Sequence, residues 1–211
     1  MVTVANCQTP AGELFTKSPN NRHNTVTRSR HAVRMAILAT LQQVDTKLFA
    51  RVFRHGEQRT LVRSMAKILS RTGDGLLHLA LPALLALIGT EQLPAYCVLL
   101  GSAMFVERLV YFVLKNTLRR RRPQDFVPGF RSIIQASDKF SFPSGHTSAA
   151  FCLATSTGIV FGGPFIAMYI WASAVALSRV LLGVHFPGDT LAGAIMGSSI
   201  AILTANQLGL L

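Results

Sequence analysis

Acidic residues are scarce in this chain: nine Asp and Glu stand against 21 Lys and Arg, a formal net charge of +12 with histidine neutral. Charge of either sign is scarce too, at 14% of 211 positions against 50% hydrophobic residues. Soluble domains carry about 25% charged residues, so the composition excludes an ordinary soluble domain and points to one membrane domain. Cys7, Cys97 and Cys152 are too few and too scattered for a disulfide framework, and they lack the paired spacing of a zinc site. They read as small buried thiols. His23, His31 and His55 lie in polar or basic sequence without a ligand partner at metal-site spacing. The first thirty residues hold no apolar core of signal-peptide type, being rich in Asn, Thr, Ser and basic residues. We expect residues 1–30 to be a flexible basic tail, retained ahead of a membrane domain over residues 31–211.

A balance this basic calls for nucleic acid or anionic lipid nearby. Twelve of the cations lie between Lys17 and Arg71, and the other nine stand among long apolar runs that no soluble nucleic-acid module carries. The charge is therefore juxtamembrane, and no nucleic-acid partner is expected. Residues 32–53 mix apolar positions (Met35, Leu38, Leu41, Leu48, Val52) with Arg34, Asp45, Lys47 and Arg51 at helical spacing. That pattern suits an interfacial amphipathic helix and is too charged to span.

Apolar runs then follow at residues 75–90, 93–114, 144–160, 164–182 and 190–208. The first is short and holds His78 and Pro82; the second carries Glu107 and Arg108, which must face protein, water or headgroups. The pattern predicts an all-α polytopic membrane bundle of about five spans plus the amphipathic helix. Gly193 and Gly197 have GxxxG spacing, read as close helix packing. Crossing the spans in order puts the loop of residues 115–143 and the turn of residues 183–189 at one membrane face.

Three short blocks stand at those loop edges. Lys115 is followed after six residues by Arg122-Pro123; then comes Pro143-Ser144-Gly145-His146; then Ser178-Arg179, with His185 and Asp189 beyond. Alone, the Lys115 to Arg122 run would be a positive-inside cluster, and Pro143-Ser144-Gly145 an ordinary turn and helix start. Together the three blocks resemble the signature of the type 2 phosphatidic acid phosphatase superfamily. The resemblance implies a helical bundle with its site at one membrane face, a lipid phosphate substrate, a phosphohistidine intermediate, and neither metal nor cofactor.

Physical chemistry gives the arrangement the same purpose. A phosphoryl group in transfer carries charge on several oxygens that must be neutralised and held in line with the attacking atom. Lys115, Arg122 and Arg179 would supply the positive cradle, with arginine able to grip two oxygens through its planar fork. Ser144 and the Gly145 amide would lie at a helix N-terminus, a natural anion site. By the resemblance His185 is the nucleophile. Asp189, four residues on, would accept its other ring proton, and His146 would protonate the departing lipid oxygen and later activate water.

Other readings compete. Vanadium haloperoxidases resemble the same signature but are soluble. A catalytically silent membrane scaffold or lipid-binding relative would be expected to have lost its nucleophile or cradle, and here His185, His146, Asp189 and the cations are all present. Glu107, Tyr111 and Lys115 share a helical face and read as an internal ion pair. The Ser70-Arg71-Thr72-Gly73-Asp74-Gly75 segment and the small size resemble the subgroup acting on polyisoprenoid and presqualene diphosphates. That resemblance implies an endoplasmic reticulum location in a eukaryote and a cytoplasmic membrane otherwise.

Overall fold

The computed structural model describes the backbone of residues 21–211 apart from Ser137, and side chains from Thr40 onward with the same exception. The first twenty residues of the expected tail therefore lie outside the described residues. The chain divides into two compact units, residues 1–41 and 42–211. The first contributes helical backbone from Asn21; everything below concerns the second.

Every regular element among the described residues is helical: α1 (Asn21–Gln58), α2 (Thr60–Thr72), α3 (Leu76–Ile88), α4 (Leu93–Leu118), α5 (Pro123–Phe126), α6 (Gly145–Phe161), α7 (Met168–Leu181) and α8 (Pro187–Gln207). A 3-10 turn, Gly163–Ala167, leads into α7. Proline sits in the first turn of α4, α5 and α8, where its missing N–H costs nothing. The all-α membrane bundle expected from the apolar runs is what the chain forms.

Among the described residues, fewer than the expected five runs form helices that are by themselves long and apolar enough to cross a membrane. Three stretches are long and apolar enough to cross a membrane, Leu93–Phe126, Gly163–Leu181 and Pro187–Gln207, or four if α2 and α3 together form one span bent by 62°. The run at residues 75–90 becomes the 13-residue α3, about 20 Å of helix, which reaches across a bilayer core only in company with α2. The run at residues 144–160 becomes α6, 17 residues long and so about 25 Å. It packs against α4, α7 and α8. Wrapped by protein, α6 needs small side chains more than greasy ones, and Ala149, Ala150, Cys152, Ala154, Ser148 and Thr155 are all buried along it.

The α6–α8 crossing explains the GxxxG pair. A Cβ at Gly193 would lie 2.6 Å from the Ser144 carbonyl oxygen, and one at Gly197 would run into the Ser148 backbone. Large apolar side chains such as Leu87, Phe105, Phe112 and Ile170 stay exposed on the outside of the bundle, the surface that a bilayer would cover. At the other extreme, an aromatic cluster of Phe49, Phe53, Phe130 and Phe186 packs beneath the turn between α7 and α8. Gly183, at φ +80, fits there because a Cβ would meet Phe130 at 2.7 Å.

Candidate active site

The helices deliver the three blocks to one end of the bundle. Lys115 lies in the last turn of α4, Arg122 caps α5, Gly145 and His146 open α6, Arg179 stands in the last turn of α7, and Asp189 is in the first turn of α8. Backbone hydrogen bonds tie the ends together: the Ser144 amide donates to the Asp189 carbonyl at 3.0 Å, and Ser141 to Arg120 at 2.8 Å.

His185 is buried, 2% exposed, on the turn between α7 and α8. Arg122 fastens that turn by donating from Nη1 to the Val184 carbonyl at 2.6 Å. His185 Nδ1 lies 3.7 Å from Asp189 Oδ2, an ion-pair separation too long for a hydrogen bond, and Nδ1 has no hydrogen-bond partner. Burial pushes the imidazole down to about 3, the Asp189 carboxylate opposing that shift while Arg122 and Arg179 add to it. The ring is thus neutral at physiological pH, the form with a lone pair to donate. Asp189 in turn accepts from the Phe186 amide at 2.9 Å and from Arg120 at 2.6 Å. Arg120 also holds Asp45 at 2.6 Å, and Asp45 accepts from the Gly188 amide at 2.8 Å.

The cradle residues converge, and they do so on a carboxylate. Lys115 Nζ lies 2.5 Å from Asp138 and 2.8 Å from the Tyr111 hydroxyl, which itself donates to Asp138 at 2.5 Å. Arg122 pairs with the same carboxylate and donates from Nε to the Asp138 carbonyl at 2.9 Å. Arg179 is buried, with Nη1 on Ser70 Oγ at 2.5 Å and Nε unpartnered. The Ser144 hydroxyl is engaged with Thr147 Oγ1 at 3.0 Å. His146 Nε2 stands 2.6 Å from Asp74 Oδ1.

A cavity of about 660 Å³ joins these groups. Arg122, Arg179, Gly145, His146 and His185 line one part of it, and Leu79, Met104 and Ala149 another. Lys115, Ser144 and Asp189 are buried behind that lining. Gly145 is held to glycine by the Tyr111 ring, which a Cβ would meet at 2.9 Å. Among the described residues no group of three or more His, Cys, Asp or Glu could hold a metal ion.

The ion pair expected between Glu107 and Lys115 does not form, since Lys115 pairs with Asp138. Glu107 pairs with its neighbour Arg108, Tyr111 with Lys115, and His78 bonds the Ala149 carbonyl at 3.1 Å. Sequence reasoning missed Asp138, Arg120 with Asp45, and Asp74. For Asp74 a signal existed, since it sits in the Ser70 to Gly75 segment between two glycines.

Residues 95–210, more than half of the chain and inclusive of all three blocks, match the sequence pattern of the PAP2 superfamily. The chain belongs to that superfamily. This PAP2 protein is 28% identical over 144 residues to decaprenylphosphoryl-5-phosphoribose phosphatase of Mycobacterium tuberculosis, across 68% of this chain and 79% of that protein. It is 38% identical over 102 residues to phosphatidylglycerophosphatase B of Bacillus subtilis, across 43% of this chain and 47% of that one. The fold is similar to that of LpxE from Aquifex aeolicus, with a TM-score of 0.64 at 23% identity over 76% of this chain and 93% of that one. Likeness to named phosphatases supports a phosphatase, and the spanning helices make this PAP2 chain an integral membrane protein.

Proposed function

We propose that this PAP2 protein hydrolyses the terminal phosphate of a lipid phosphate or diphosphate through a phosphohistidine at His185, without a metal. The observation that carries the reading is one cavity in which a buried neutral histidine, two arginines and a second histidine meet an apolar wall. A lipid phosphate has that same polarity, an anionic head on an apolar tail. Among lipids, an isoprenoid phosphate or diphosphate is the substrate class we favour. The relative matched over most of its length acts, by its name, on a decaprenyl-linked phosphosugar.

Asp189 lies on the Nδ1 side of His185, so Nε2 is the attacking atom. The phosphoryl oxygens would take over from Asp138 the donors of Lys115, Arg122 and Tyr111, and would use the unpartnered Nε of Arg179. Fixed donors of this kind stabilise charge that develops in transfer without reorganising. As the P–O bond to the lipid breaks, His146 gives the lipid oxygen its proton; water then attacks the phosphohistidine while His146 takes the proton back.

The test is phosphate release by detergent-purified protein in EDTA, offered farnesyl diphosphate, presqualene diphosphate and phosphatidic acid. Release that survives EDTA and disappears in His185→Ala is the expected result. Release from none of the lipids would favour a membrane scaffold, and release abolished by EDTA but restored by a divalent ion would overturn the metal-free mechanism.

A further inference from the structure

Asp74 lies outside both the stretch that matches the superfamily and the three sequence blocks. Its carboxylate is nonetheless hydrogen-bonded to one of their histidines, at 2.6 Å from His146 Nε2. The local chain is built to put it there. Helix α2 ends at Gly73, Gly75 adopts φ +105, and α3 leaves at 62°. Asp74 is the one side chain at that break, beside the first turn of α6. A Cβ at Gly73 would press on Val175 at 2.9 Å and approach His146 Cδ2 at 3.6 Å, so the segment lies tight against the histidine. The same segment holds Arg179 through Ser70. A short stretch of chain thus contacts two members of the candidate machinery.

The pair also occupies a particular place. Asp74, His146 and Arg179 line the large cavity and, at the same time, a second one of about 380 Å³ whose other walls include Lys67, Ser70 and Arg71. His146 therefore stands between an apolar-walled space fit for a lipid and a basic, polar space fit for water and released phosphate. With Nε2 engaged by Asp74, Nδ1 is the ring nitrogen left over for proton exchange.

We propose that Asp74 is a positioning residue for His146: its carboxylate accepts the Nε2 proton, fixes the ring and its tautomer, and leaves Nδ1 to exchange the proton of the reaction. The proposal rests on the phosphatase reading above. In the first half-reaction His185 Nε2 bonds to phosphorus and the P–O bond to the lipid breaks. Its electron pair stays on the lipid oxygen, which takes the Nδ1 proton of His146. In the second, a water oxygen bonds to phosphorus, one of its protons goes to His146 Nδ1, and the P–N electron pair returns to His185. Asp74 keeps its charge throughout and favours the imidazolium, opposing the burial and the neighbouring Arg179 that push His146 down to about 4, the role a carboxylate has beside a catalytic histidine in acyl transfer.

A tether that merely closes the α2–α3 break would act on all substrates alike, and this separates the two roles. Wild type, Asp74→Asn and Asp74→Glu, purified in detergent and matched for thermal unfolding, are compared by kcat/KM on hexadecyl phosphate and on 4-nitrophenyl phosphate. This ratio reports the steps through departure of the leaving group. The alkoxide needs a proton and the nitrophenolate does not. We expect Asp74→Asn to lower kcat/KM on the alkyl phosphate roughly 10- to 100-fold and on the aryl phosphate less than about threefold, with partial recovery in Asp74→Glu. Equal losses on both substrates, or no loss on either, would overturn the proposal. A wild-type protein that released phosphate from neither would sink the phosphatase reading and this one with it, a result visible before any variant is made.

Discussion

At His185 several separate constraints meet. Arg122 holds the carbonyl of the preceding residue, Asp189 faces Nδ1, and burial keeps the ring neutral. Arg122 is more than a charge here, since Nη1 goes to Val184, Nη2 to the Asp138 carboxylate and Nε to the Asp138 carbonyl. Lysine offers one point charge in place of that fork. Arg122→Lys is therefore expected to lower kcat/KM on a lipid phosphate by roughly 100-fold, the order seen when a preorganised donor is lost, measured beside Lys115→Arg as a milder change. Asp138 invites the opposite expectation. Its carboxylate sits on the donors that phosphoryl oxygens need, so Asp138→Asn should lower the Ki of inorganic phosphate several-fold. An unchanged or higher Ki would show that Asp138 orders the cradle and does not compete for it.

Helix α6 is the element on which the site hangs, and its sequence is written for contact with protein on all sides. Gly193 and Gly197 let α8 lie against it, with the Thr155 and Ser198 hydroxyls bonded across the interface at 3.2 Å. Gly197→Val would force the two backbones apart, an overpacking change that costs about 1–3 kcal/mol and should lower the unfolding midpoint in detergent. It should also reduce turnover, because Ser144 and Asp189 open the two helices and are joined by a backbone hydrogen bond. Gly158, whose Cβ would approach Tyr169 no closer than 3.8 Å, is the control: Gly158→Ala should leave both measurements near wild type.

For the molecule as a whole, burial of His185 links stability to pH. The unfolded chain binds a proton at this histidine below about 6.5, whereas the folded ring resists protonation down to about 3. Between those values the unfolded state holds more protons, so the contribution is complete above the upper value and is lost as pH falls toward the lower one. The fall in unfolding midpoint between about pH 7.5 and about pH 4.5 should accordingly be smaller in His185→Gln than in wild type. How much of this protein was legible beforehand follows from the range of the forces involved. Hydropathy is a local quantity, so the apolar runs marked the helices, and the blocks between Lys115 and Asp189 marked the candidate site through their resemblance to a family signature. The count of spans was not legible, because a run of apolar residues looks alike whether lipid or protein covers it. Only packing turned residues 144–160 into an enclosed helix and residues 75–90 into half of a bent pair. The partners of the site residues were equally hidden. Asp74 lies 72 positions from His146 and Arg120 lies 69 from Asp189, and contacts over such separations exist only once the helices have assembled. The sequence by itself determined an all-α membrane bundle and, through its three blocks, the candidate residues for phosphoryl transfer. The tertiary structure decided which carboxylate faces which histidine, since short-range electrostatics act between side chains that only the packed helices bring within reach.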